Sequence, residues 1–157
     1  MKREAIVLAG GFGTRLRDVV SDVPKPIAPV ADQPFLNYVL RYLKHFSFTK
    51  VVLSVGYQGE KIQELYGDSF EGIELVYAFE KEPLGTGGAI KFSMEKTSAE
   101  EVLVLNGDTF FEVDLNDVYE AHDNWIADVS MVLREIESPN RYGTVVLGEH
   151  QRVTQFK

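Results

Sequence analysis

Short apolar runs alternate with amphipathic stretches along most of this chain, and that alternation restricts its fold more than any other feature. Ala5–Leu8, Lys50–Val55, Ile73–Phe79 and Val102–Leu105 are strand-sized. Between and after them lie stretches with helical spacing. In Pro34–Phe46, Leu36, Val39, Leu40 and Leu43 recur at i, i+3, i+4 and i+7, and Pro34 suits a first turn. Gly59–Tyr66 places Ile62, Leu65 and Tyr66 on one face; Thr86–Met94 and Leu115–Asn124 also read as helices. Strand followed by helix, repeated, favours βαβ units and a mostly parallel sheet covered on both faces. Ala127–Leu133 reads as a further strand, and Thr144–Leu147 with Val153–Phe156 makes the end β-rich. No linker, repeat or low-complexity tract interrupts the 157 residues, so a single domain spanning 1–157 is expected.

In such a sheet, ligands bind beyond the carboxyl ends of the strands. Three polar clusters sit just there. The first is Gly10-Gly11-Phe12-Gly13-Thr14-Arg15, directly after Ala5–Leu8. Glycine lets backbone amides approach a ligand closely, and successive N–H groups form a concave anion site. Arg15 and Lys25 add cations within reach of that loop. Lys25 lies between Pro24 and Pro26, which hold it on a stiff segment. The loop is neither a Walker A motif nor the dinucleotide fingerprint, because the required residues and spacing are missing. By itself it reads as a strand-to-helix turn, and by itself Lys25 is a loop lysine. Together they suit a nucleoside triphosphate, where positioned cations stabilise phosphoryl transfer.

The second cluster is Asn106-Gly107-Asp108, after Val102–Leu105. Asn-Gly is common turn chemistry, but Asp108 is also a hard carboxylate suited to Mg²⁺. The third is Glu80-Lys81-Glu82-Pro83-Leu84-Gly85-Thr86-Gly87-Gly88. Guanine offers N1–H and the N2 amino group on one edge, and one carboxylate can accept both, so either Glu80 or Glu82 could read it. Phe35, Tyr38, Tyr42, Phe46, Phe110 and Phe111 read as core.

The formal net charge of −8 argues against a nucleic-acid partner. No apolar run has the length of a membrane span, and the first residues are too short of apolar length for a signal peptide. With no cysteine and three scattered histidines, neither disulfides nor a zinc site is expected. The expectation is a soluble, cytoplasmic protein.

The run Leu8–Leu16, then Pro24-Lys25-Pro26, Pro29-Val30 and Pro34–Leu36, resembles the signature of the sugar-1-phosphate nucleotidyltransferases. The finer pattern in 22–38, 52–57, 80–90 and 104–115 looks most like heptose-1-phosphate guanylyltransferases. The resemblance implies a three-layer, Rossmann-like α/β fold. It implies transfer of GMP from GTP to a sugar 1-phosphate, with pyrophosphate released and Mg²⁺ as cofactor. Leu8, Ala9, Gly10, Gly11, Gly13, Thr14, Arg15, Lys25, Glu80, Gly85 and Asn106 would then surround the nucleotide. Gly107, Asp108, Tyr142 and Gly143 would lie near the sugar, and Arg15, Lys25 and Asp108 would be catalytic, Asp108 holding the metal. Members of the family continue past this end with a Glu-Lys segment and a second metal-binding aspartate, so the chain is expected to be a fragment. The resemblance also implies a place in lipopolysaccharide, capsule or surface-layer glycan synthesis. A homodimer is compatible with it. Mannose-1-phosphate guanylyltransferases share Pro-Leu-Gly-Thr, and uridylyltransferases share Thr-Gly-Gly. Those activities stay open as alternatives, as does a nucleotide-binding domain without catalysis.

Overall fold

The structure, a computed structural model, describes residues 2–11, 23–137 and 143–157. They fall into two compact units, Met1–Val113 and Asp114–Lys157. In chain order the first contains β1 (Arg3–Leu8), a 3-10 turn (Lys25–Ile27), β2 (Pro29–Val30), β3 (Gln33–Pro34), α1 (Phe35–His45), β4 (Phe48–Val55), α2 (Gly59–Tyr66), β5 (Ser69–Phe70), β6 (Ile73–Phe79), α3 (Gly85–Met94) and β7 (Val102–Asn106). The second contains α4 (Leu115–Trp125), β8 (Val145–Leu147), a 3-10 turn (Glu149–Gln151) and β9 (Val153–Phe156).

The main sheet has the order β5-β6-β4-β1-β7. β1 runs parallel to both β4 and β7, β4 runs parallel to β6, and only the short β5 is antiparallel. The expected α/β architecture with a mostly parallel sheet is therefore present. Successive side chains of a strand point to opposite faces. Ile6, Val52 and Ala78 cluster on one face, packed by Phe92 from α3. Ala5, Val7, Val51 and Leu53, which alternate with them, are just as buried, so both faces are covered. α1 contributes Leu36, Val39, Leu40 and Leu43 to the core, as their spacing predicts. Burying each such side chain contributes about 2 kcal/mol. Among the described residues, no helix is long and apolar enough to cross a membrane.

Three expectations need correction. Ala127–Leu133 forms no strand; Val129 is 82% exposed, and Met131, Val132 and Leu133 are exposed too. β-branched residues favour an extended chain, but a strand needs a partner for its amides, and this run is paired with none of the described strands. Leu65 points to solvent on α2, whose buried stripe is narrow and centred on Ile62. Phe110 and Phe111 are half exposed rather than core. Phe110 instead packs edge-on against Tyr42, with ring centroids 5.2 Å apart. Pro34 serves as the cap before α1 and pairs with Pro29 in the β2–β3 hairpin, which the periodicity did not reveal.

One buried charge secures the far end of β1. Glu4 is 2% exposed, and its carboxylate accepts from the Ser98 amide at 2.8 Å and from the Ser98 hydroxyl. Burial is the largest single influence and raises its pKa, but the Ser98 hydroxyl and amide, Lys50 and the Ala99 amide together outweigh it and hold the group below its ordinary value. A carboxyl with a lowered folded pKa contributes stability above its unfolded value, about 4.3, which is lost as pH falls through the folded value. Glu4→Gln is expected to cost about 1–3 kcal/mol near neutral pH. Urea denaturation should show the gap between the two proteins shrinking as pH falls below the unfolded value; a gap unchanged with pH would contradict this account.

Candidate functional site

β1 has β4 on one side and β7 on the other, so the order of the strands reverses between β1 and β7. The crevice beyond the carboxyl ends at such a reversal is the usual ligand position. Here the strand ends are tied level. Leu8 lies opposite Ser54 on one side and Asn106 on the other. The Ala9 amide donates to the Ser54 carbonyl at 2.7 Å, the Gly107 amide to the Leu8 carbonyl at 2.8 Å, and the Glu80 amide to the Val55 carbonyl at 2.8 Å. The loops that follow β1, β4, β6 and β7 all start from this one ledge. They surround a cavity of about 590 Å³, a size suited to a nucleotide-sized ligand.

Within the lining, Lys25 Nζ lies 3.7 Å from an Asp108 carboxylate oxygen. Lys25 opens the 3-10 turn between Pro24, at φ −56°, and the buried Pro26, so its backbone is stiff, as the flanking prolines predict. The loop carrying Asp108 is fastened further on. The Tyr42 hydroxyl donates to the Val113 carbonyl at 2.5 Å and accepts from the Val113 amide at 3.3 Å. Both charged side chains keep solvent contact, 25% and 43% exposed. A pair this open contributes about 0–1 kcal/mol at most, so either partner can exchange the other for a ligand at little cost.

Glu80, also in the lining, is held at both oxygens. Oε1 accepts from the Ser54 hydroxyl at 2.9 Å, and Oε2 accepts from the Leu84 amide at 3.2 Å. The glycine loop passes close above it: a Cβ on Gly10 would lie 3.1 Å from the Gly56 nitrogen and 3.2 Å from Glu80 Oε1. Of the two glutamates left open by the sequence, both line the cavity; Glu80 is half-buried and anchored, whereas Glu82 is exposed.

Leu8, Ala9, Gly10, Gly11, Lys25, Glu80, Gly85, Asn106 and Asp108 all line this cavity. Gly107 does not; it is buried, and its amide is committed to Leu8. Gly143 belongs to the second unit. Gly13, Thr14, Arg15 and Tyr142 lie outside the described residues. Sequence reasoning passed over Ser54, Tyr57 and Gln58, which also line the cavity. Their signal was available: Gly56 ends an apolar run in the same way as Gly10 does, and strand ends are where ligands bind.

A family model described as nucleotidyl transferase matches residues 4–157. The D-glycero-alpha-D-manno-heptose 1-phosphate guanylyltransferase of Aneurinibacillus thermoaerophilus is 47% identical over 98% of this chain and 66% of its own length. The enzyme of the same name from Campylobacter jejuni is 44% identical over 98% of this chain and 67% of its own. The solved structure of HddC from Yersinia pseudotuberculosis, complexed with GMP-PN, superposes with a TM-score of 0.80 at 31% identity, covering 98% of this chain and 68% of that one. The chain thus spans about two thirds of the length of these relatives.

Two glycines of α3 should respond in opposite directions to the same change. Gly85 has φ +68°, where a Cβ is strained, whereas Gly87 lies within α3 with nothing near the place its Cβ would occupy. Gly85→Ala is expected to destabilise by about 1–2 kcal/mol. Gly87→Ala should stabilise by up to about 1 kcal/mol. Urea midpoints for the two variants check this; shifts of the same sign would refute it.

Proposed function

The chain belongs to the nucleotidyl transferase family, and we propose that its cavity transfers GMP from GTP to heptose 1-phosphate. The observation that carries this is the chemistry of the cavity lining. It combines a glycine loop and the Lys25–Asp108 pair, suited to phosphates, with the anchored Glu80 carboxylate, suited to a base with two adjacent donors. The heptose follows from the two guanylyltransferase relatives, and the GMP-PN complex of HddC supports a guanine nucleotide.

In this reading a phosphate oxygen of the sugar 1-phosphate attacks the α-phosphorus of GTP. A new P–O bond forms as the bond from that phosphorus to the β-phosphate bridging oxygen breaks, and pyrophosphate leaves with the electron pair. The Gly10 and Gly11 amides face the phosphates. Lys25 stabilises the negative charge that grows on the leaving group, and Arg15, by its place in the sequence, adds a second cation. Asn106 borders the ribose, Gly85 lets the backbone come close beside the base, and Asp108 serves the sugar side.

Asp108 fits a magnesium ion. Among the described residues no group of three or more His, Asp or Glu side chains could hold a metal, so Asp108 stands as a single carboxylate. Magnesium often takes one or two carboxylates and fills its remaining positions with phosphate oxygens and waters. Bound there, it would neutralise charge on the phosphate oxygens.

A second reading, with mannose 1-phosphate as acceptor, is favoured by the Pro83-Leu84-Gly85-Thr86 segment. Pyrophosphate release with each of four nucleoside triphosphates and either sugar phosphate separates the two. GTP with heptose 1-phosphate is the expected productive pair. Release with mannose 1-phosphate alone would favour the second reading, and GTP binding without release would indicate a nucleotide-binding domain. Lys25→Ala is expected to slow release by about a hundredfold or more while changing GTP affinity less than tenfold. An equal loss in both would remove Lys25 from the chemistry.

A further inference from the structure

We propose that Ser54 is a positioning residue for base selection: its buried hydroxyl fixes the Glu80 carboxylate so that both guanine donors are met together. The inference rests on the reading of Glu80 given above.

Ser54 is the only polar residue in the run Val51–Val55, and it is fully buried. A hydroxyl in such a place is costly unless it finds a partner. Its partner is Glu80 Oε1, at 2.9 Å. The same residue's carbonyl holds the Ala9 amide at 2.7 Å, at the start of the glycine loop. One residue of β4 therefore anchors both the loop proposed for the phosphates and the carboxylate proposed for the base.

A carboxylate meets N1–H and N2–H of guanine together only when its plane lies along the base edge. The last torsion of a glutamate is broad and does not set that plane by itself. The plane must be imposed from outside, one oxygen at a time. Leu84 supplies one anchor, but it sits in the exposed stretch 81–87. Ser54 belongs to the sheet interior and is the rigid anchor. A carboxylate has about four acceptor positions, so these two bonds leave room for the base.

Inosine triphosphate, which lacks only the 2-amino group, isolates the effect. Equilibrium titrations with GTP and ITP would compare the wild-type chain, Ser54→Ala, Ser54→Cys, Ser54→Thr and Glu80→Gln. Thermal melts would confirm folding, and the near-isosteric Ser54→Cys, a weak donor, serves if the alanine variant does not fold. The wild type should prefer GTP by about tenfold. Ser54→Ala and Ser54→Cys should lose most of that preference with ITP affinity changed less than about twofold, and Ser54→Thr should retain it. Parallel loss of GTP and ITP affinity, with the ratio intact, would overturn the proposal and leave Ser54 a structural serine. Equal binding of GTP and ITP by the wild type would instead overturn the guanine reading of Glu80. Loss of preference in Glu80→Gln but in neither Ser54→Ala nor Ser54→Cys would overturn the Ser54 inference alone.

Discussion

The site depends on the pairing of β1 between β4 and β7. Its register brings Leu8 opposite Ser54 and Asn106, and three backbone hydrogen bonds just past the strand ends continue the alignment. Because side chains alternate with a period of two, a slip of one residue would send Ile6 to the wrong face and move the glycine loop away from Glu80. The core and the cavity are consequently set by the same pairing. Ile6, Val52 and Ala78 lock the register from within the sheet, and the loops inherit their positions from it.

Much of the first unit was legible because its signals are strong and local. The spacing in α1 and the apolar runs of β4 and β6 each state their own structure. The ledge was also legible, since Gly10, Glu80 and Asn106 each follow a strand-like run. What could not be read were contacts between residues far apart in sequence. Nothing near Ser54 announces a bond to Glu80, and nothing near Tyr42 announces that it fastens Val113. The two-residue strands β2, β3 and β5 carry too little pattern to stand out. Ala127–Leu133 shows the opposite error: its composition states a preference for extended chain, but pairing is a property of two segments, and composition reports only one.

The charged residues of the cavity lining are held in different ways. Lys25 and Asp108 remain partly solvated and weakly joined, which suits groups that must trade partners when a charged ligand enters. Glu80 is restrained at both oxygens, which suits a group whose task is to discriminate by shape and donor pattern. Stiffness at Glu80 and exchangeability at Lys25 and Asp108 lie within one cavity because different segments supply them.

The close passage of the glycine loop over Glu80 also bears on how this family can diversify. A side chain at position 10 would crowd the Gly56 backbone and the Glu80 carboxylate at once, and one at position 56 would lie 3.0 Å from the Gly10 carbonyl. Backbone cannot yield as a flexible side chain can. Positions 10, 56 and 80 should therefore change as a linked set across descendants of this chain. A lineage that replaces residue 80 would have to do so within the space that two glycines leave, which favours swaps of chemical group over gains in bulk.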